Sequence, residues 1–293
     1  MKNCLEKFWR GEGRCAAKQG LCLALRKVGP GKPGIVKCGG HFSLTELFAC
    51  CILMLLSKKE GGTAMSIGPS RPLALEKPET IDLKQAARYF GQWGEPDAAT
   101  ASLLERCAVP ILAAAAPHAV WLESDVDSLA EAGLLQGEDV YRHLTGCDRA
   151  ILLAVTLGPG VDAQIRRAGV GDIAAGVASD ALGSALAEQM ADAAEAELRN
   201  AAAGQGRYLT GRYSPGYGDW PITVQPLVAA ALDTARRAGL CVTDTNLMTP
   251  RKSVTALLGV SEHPVKGHLA GCGHCVLRTR CEYRKRGITC ASE

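Results

Sequence analysis

The ten residues Arg212-Tyr213-Ser214-Pro215-Gly216-Tyr217-Gly218-Asp219-Trp220-Pro221 place one fixed cation, two prolines, two glycines and three aromatics side by side. Proline fixes φ and glycine tolerates positive φ, so such a run is a shaped loop rather than a periodic element. A shaped loop that displays an arginine and aromatics suits ligand binding. Composition alone also allows a rigid surface turn. A second constellation closes the chain: Cys272-x2-Cys275-x5-Cys281-x8-Cys290. A CxxC pair with two further thiols in one short segment can wrap a tetrahedral zinc or an iron–sulfur cluster. His268 and His274 lie among these cysteines and read as ordinary polar residues rather than ligands. Ser214 sits in Ser-Pro-Gly rather than on a G-x-S-x-G elbow, which argues against nucleophilic hydrolysis. His143 and Asp148 read as parts of a turn, not as a base and its orienter.

The elements that must position these residues are legible in outline. Asp82–Gly91 and Asp97–Ala116 have helical apolar spacing, and Ala119–Leu122 is a short strand candidate. Asp139–Thr145 reads as a helical turn that ends at Gly146. Ala150–Leu157 is a continuous apolar run bounded by Asp148-Arg149 and Gly158-Pro159-Gly160, the pattern of a buried strand. Val161–Ala168 is helical, and Asp172–Ala203 is the longest helical segment, with an acid at its start and Gly204 at its end. Leu209–Tyr213 is a strand candidate leading into the loop, and Thr223–Ala238 reads as one helix stopping at Gly239. Leu240–Thr245 and Ser253–Val260 are further strand candidates around Met248-Thr249-Pro250. Few strands alternating irregularly with helices imply an α+β fold. Gly158-Pro159-Gly160 lacks the third glycine and the later acid of a dinucleotide-binding turn.

Residues 1–64 stand apart from the rest. They hold 11 Lys/Arg against 4 Asp/Glu, and six of the 13 cysteines. Gly29-Pro30-Gly31-Lys32-Pro33-Gly34 interrupts any element, and no helical or alternating period persists on either side. The apolar run Leu47–Leu56 is too short for a membrane helix, and the segment lacks the layout of a signal peptide. The expectation is a non-native or disordered extension, with translation starting at Met65. Lys59-Glu60-Gly61-Gly62 can be encoded by a ribosome-binding sequence at a suitable distance. The remaining residues carry 22 basic and 26 acidic groups, a balance that gives no general affinity for nucleic acid. The odd number of cysteines implies thiols or metal ligands in a reducing compartment, so a cytoplasmic protein is expected.

Arg212-Tyr213-Ser214-Pro215-Gly216-Tyr217 with Pro221 resembles the R-x-x-P-G-Y-x-x-x-P loop of the activation (reactivation) domain of cobalamin-dependent methionine synthase. Further matches occur in the same order. They are His143–Ala150 with Thr156-Leu157-Gly158, Val161-Asp162 with Ile165-Arg166-Arg167, and Leu186-Ala187-Glu188. Met248-x-Pro250-x-x-Ser253-Val254 and Tyr283-Arg284-Lys285-x-Gly287 complete a pattern over roughly residues 75–290.

The resemblance implies a single C-shaped α+β module with a mixed sheet over residues 65–270, followed by the Cys-rich tail. It implies binding of S-adenosylmethionine, whose carboxylate Arg212 would take in its planar donor fork. Glu188 would accept from the ammonium or hydroxyl groups. Ser214, Pro215 and Gly216 would let the backbone approach, and Tyr217 would face the corrin or the sulfonium. The family's acidic contact from the N-terminal helix region falls here at Gly91 or Gln92, neither of which is acidic.

The implied role is an accessory subunit that supports reductive remethylation of cob(II)alamin to methylcobalamin on a corrinoid methionine synthase subunit. A flavodoxin- or ferredoxin-like protein would act as reductant, with no nucleic acid and no membrane involved. Synthases with an internal copy of the domain lack the cysteine set, so its metal is not implied by the resemblance. The competing expectation is a cysteine-cluster protein for electron transfer or interaction, serving another corrinoid methyltransferase.

Overall fold

Arg149–Thr156 (β6) is an eight-residue strand with seven residues buried, because both faces of the sheet are covered. Ile151, Leu153 and Val155 enter one core, while Ala150, Leu152 and Ala154 enter another. The period-two alternation of a strand therefore separates two apolar sets that look like one continuous run in sequence. This is a computed structural model, and it describes residues 14–18, 21–27, 33–38, 67–92, 95–265 and 279–285. Its contacts divide the chain into two units, Met1–Ala64 and Met65–Glu293.

In the first unit, Arg14–Lys18 (β1), Leu21–Lys27 (β2) and Pro33–Cys38 (β3) pair as an antiparallel three-stranded sheet. This differs from the absence of regular period read there. Pairing between neighbouring strands needs only short connections and no sustained alternation.

In the second unit, β6 pairs with His118–Asp125 (β5) on one side and Ser253–Ser261 (β10) on the other. Arg71–Leu73 (β4) and Tyr208–Leu209 (β7) form the edges, giving the order β4-β5-β6-β10-β7. Every pairing in this sheet is antiparallel, which corrects the expected mixed sheet. No β-α-β crossover supplies a parallel neighbour, so the fold is α+β with an antiparallel sheet between helical layers.

One layer contains Leu83–Tyr89 (α1) and Ala98–Ala114 (α2), capped by Asp82 and Asp97, whose side chains accept from Gln85 N and Thr100 N. Pro159–Gly171 (α5) and Ile173–Ala203 (α6) complete it. The 31-residue α6 starts on Asp172, whose carboxylate accepts from Ala174 N. It buries Ala178, Leu182, Leu186, Met190, Ala194, Leu198 and Ala202, a four-residue spacing that lays one apolar stripe on the sheet. The other layer holds Val126–Glu131 (α3), Asp139–His143 (α4), Gln225–Leu232 (α7) and Thr234–Ala238 (α8).

Three expected elements come out differently. Thr223–Ala238 is a 3-10 turn over Ile222–Val224 followed by α7 and α8, broken at Asp233, which adopts left-handed φ of 53°. The Thr234 hydroxyl donates to Leu240 O at 2.7 Å and holds the break closed. Leu240–Thr245 contributes only Cys241–Val242 (β8), paired with Met248–Thr249 (β9), because the chain turns at Asn246 with φ 63°. Leu209–Tyr213 pairs as a strand only at β7.

That last difference has a geometric cause. Leu209 faces Val260, but Tyr213 faces Leu257, so four steps along one chain match three along β10. One extra residue is accommodated, a β-bulge. In a regular strand Leu209 and Tyr213 would share a face. Here Leu209 joins the core on the α6 side and Tyr213 joins the opposite one.

Candidate functional site

The bulge decides where Arg212 points. On an unbulged strand it would lie on the face opposite Leu209; with the extra residue it lies on the α6 side. There its Nη2 donates to Glu188 Oε2 at 3.2 Å and to Asp192 Oδ1 at 2.7 Å, and its Nε lies 3.6 Å from Glu195 Oε2. The three carboxylates occupy successive turns of α6, the spacing that places side chains in a row. Glu195 also pairs with Arg199, which donates to Leu209 O and Thr210 O across the bulge. The guanidinium expected to meet a ligand's carboxylate is thus already held on two of its nitrogens. Its remaining nitrogen, Nη1, is buried and has no hydrogen-bond partner. A buried donor left unpaired costs about 1–3 kcal/mol.

Beyond Arg212 the loop is anchored by its aromatics. Tyr213 is buried between His143, with ring centroids 5.0 Å apart, and Trp220, at 5.8 Å. Burial pushes the Tyr213 hydroxyl up to about 12, with Asp139 and Asp219 adding to the effect. It therefore stays protonated and donates to Tyr217 O at 2.8 Å. Trp220 is buried and its Nε1 donates to Leu134 O at 2.9 Å.

The Asp219 carboxylate accepts from Glu138 N and Asp139 N at the start of α4. Those backbone donors hold its acidity below the ordinary carboxylate value. Gly218 adopts φ of 54°, and a Cβ there would run into the Tyr213 hydroxyl and the Asp139 carboxylate. His143 is buried and its Nε2 lies 3.0 Å from Gly211 O, an acceptor, so Nε2 carries the proton. Burial lowers its basicity, and its Nδ1 has no partner. His143 thus supports the bulge.

These anchors leave Ser214–Tyr217 displayed at a groove of about 360 Å³. Of the residues singled out in the sequence, Glu188, Arg212, Ser214, Pro215 and Tyr217 line it together. Gly216 does not; its φ of 94° and its N–H to Trp220 O bond shape the turn behind them. Tyr217 is 59% exposed at the rim. Burial raises the Glu188 carboxyl above its ordinary value, the Arg212 charge opposes this, and Asp192 adds to it.

Sequence reasoning did not assign Glu195, Gln225 or Thr255 to the site. Gln225 and Thr255 are buried in the groove wall and hydrogen-bonded to each other, Nε2 to Oγ1 at 2.7 Å. Glu195 was recoverable from its seven-residue offset to Glu188 on the long helix. Nothing local marked the other two. Met248, Ser253 and Val254, which belong to the resemblance motif, also line the groove.

Of the four tail cysteines only Cys281 falls among the described residues, just before Glu282–Lys285 (α9). Cys272, Cys275 and Cys290, with His268 and His274, lie outside them. Among the described residues no helix is long and apolar enough to cross a membrane.

No protein-family model matches this chain, and no curated protein matches it. Among solved structures it is similar to the MetH reactivation domain bound to AdoHcy, at 16% identity and a TM-score of 0.43. The match covers 78% of this chain and 88% of that one.

Proposed function

We propose that residues 65–293 form an S-adenosylmethionine-binding activation subunit for a corrinoid methionine synthase. One juxtaposition carries the proposal. Glu188 on α6 and Arg212, Ser214, Pro215 and Tyr217 on the loop line a single groove. The loop motif and its ordered companions in the sequence name the ligand.

The residue types fit that molecule. The Arg212 guanidinium donates to an oxygen of its carboxylate, and Glu188 and Glu195 face its ammonium and sulfonium. The Gln225–Thr255 pair offers polar atoms to the ribose hydroxyls. Bound in this way, adenosylmethionine supplies a methyl group to the cobalt of a client corrinoid protein, with one electron from a flavodoxin- or ferredoxin-like donor. The chain's own contribution is orientation: the anchored loop fixes the ligand, and exposed Tyr217 meets the corrin face. No general acid or base is needed for such a role. The cysteine tail is proposed to hold zinc or an iron–sulfur cluster.

Isothermal titration of the full chain with S-adenosylmethionine tests the proposal. Binding is expected, weakened about tenfold or more by Arg212→Gln, as for a lost charge-assisted hydrogen bond. Absence of binding, or unchanged affinity in the variant, overturns it.

A further inference from the structure

The start of β10 is tied to α6 by a lysine that the ligand reading does not use. Ser253, Val254 and Thr255 line the groove together with Glu188 of α6. Lys252 immediately precedes that wall and reaches the helix: its Nζ donates to Ser184 Oγ at 2.9 Å and to Asp180 Oδ1 at 3.0 Å. Ser184 lies one turn before Glu188. The Ser184 hydroxyl sends its own proton to Asp180 O, which leaves a lone pair for the ammonium. Lys252 O accepts from Leu157 N at 3.0 Å, just beyond the end of β6. One residue therefore joins the central sheet, the groove wall and the helix that carries Glu188.

Two features of this contact cost stability. The Lys252 side chain is 8% exposed, and an apolar residue of similar length would fill the space with no charge to desolvate. Gly183 is buried inside α6, where alanine is the better helix former. A Cβ at Gly183 would stand 3.1 Å from Lys252 Cε and 3.3 Å from its Cγ, tighter than ordinary van der Waals contact. The helix thus gives up a methyl group where the lysine stem passes. Packing alone calls for neither the glycine nor the charge; a fixed separation between helix and wall calls for both.

We infer that Lys252 is a positioning residue of the groove: seated against Gly183 and bonded to Asp180 and Ser184, it fixes how far the 253–255 wall stands from α6. The inference rests on the adenosylmethionine reading of the same groove. A ligand then meets two walls already in place and does not have to order one of them on binding. Neither Lys252 nor Asp180 lines the groove, so the pair acts on the ligand through the wall and not by contact.

The test combines titration of the full chain with S-adenosylmethionine and hydrogen exchange of the ligand-free protein. Lys252→Met removes the ammonium and keeps the stem. It is expected to weaken binding about tenfold, the cost of ordering one or two more side chains. Amide exchange should quicken over residues 248–255 and stay unchanged over β5, and saturating ligand should restore the slow rate. Asp180→Asn leaves the lysine in place and should shift both readouts the same way by a smaller factor; it decides the matter if Lys252→Met does not fold. A merely structural lysine would lower the urea midpoint and leave affinity and local exchange as they were. That result overturns the inference and leaves the adenosylmethionine reading standing. Weaker binding without faster exchange at 248–255, or the reverse, also overturns it. Absence of binding by the unaltered chain overturns both.

Discussion

Replacing Arg212 by methionine removes a cation that contacts three carboxylates at once, while the apolar chain retains its packing. Glu188 and Glu195 are 35% and 20% exposed, and Asp192 is 61% exposed. Breaking a fully buried pair costs about 3–5 kcal/mol. Solvent screens this cluster, so a cost of about 1–3 kcal/mol is expected. The loss has a pH signature. In the native protein burial raises the Glu188 carboxyl and Arg212 opposes that rise. Without Arg212 the folded-state value moves up further. Between the unfolded and folded values the folded chain then binds more protons than the unfolded one, so stability falls as pH rises. The deficit is thus greatest near neutrality and shrinks as pH approaches the ordinary glutamate value. Urea denaturation followed by tryptophan fluorescence, from pH 5 to pH 8, measures it. The double variant Arg212→Met with Glu188→Gln should recover about half of the loss, since one of the stranded charges is gone. A deficit that is absent, independent of pH, or unrelieved in the double variant refutes the electrostatic account.

Four shorter predictions concern other parts of the molecule. Trp220→Phe strands the buried Leu134 carbonyl and should cost about 2–4 kcal/mol with the lost ring volume included, read as a shift in the denaturation midpoint. His143 is held neutral by burial, so the folded state resists protonation. Stability should decline as pH falls through the ordinary histidine value of 6.5, and His143→Gln should flatten that decline in a pH-resolved denaturation series. Anaerobic purification with absorbance and metal analysis should find zinc or iron, lost when Cys272 and Cys275 are changed to serine; metal content unaffected by those changes refutes tail ligation. If translation starts at Met65, mass spectrometry of the native protein finds no peptide from residues 1–64, and one such peptide refutes it.

Several elements were legible because their cause is local. The apolar run at 150–157 reads as a covered strand from its length and flanking turn residues, and Asp82, Asp97 and Asp172 mark helix starts whose capping bonds the structure contains. The prolines and glycines of the 212–221 loop likewise dictate a turn without reference to anything distant. The break at Asp233 was not legible. A left-handed aspartate inside a helical pattern is set by the Thr234–Leu240 closure and has no propensity signal of its own.

By itself, then, the sequence determined the covered central strand, the long α6 that carries Glu188, and a shaped arginine–aromatic loop. The tertiary structure alone decided how loop and helix meet. One extra residue opposite β10 turns Arg212 onto the α6 face, where Glu188, Asp192 and Glu195 await it. Whether a strand pairs in register or bulges depends on the neighbour across the ladder, more than 40 residues away in the chain, and local residue types carry no record of it.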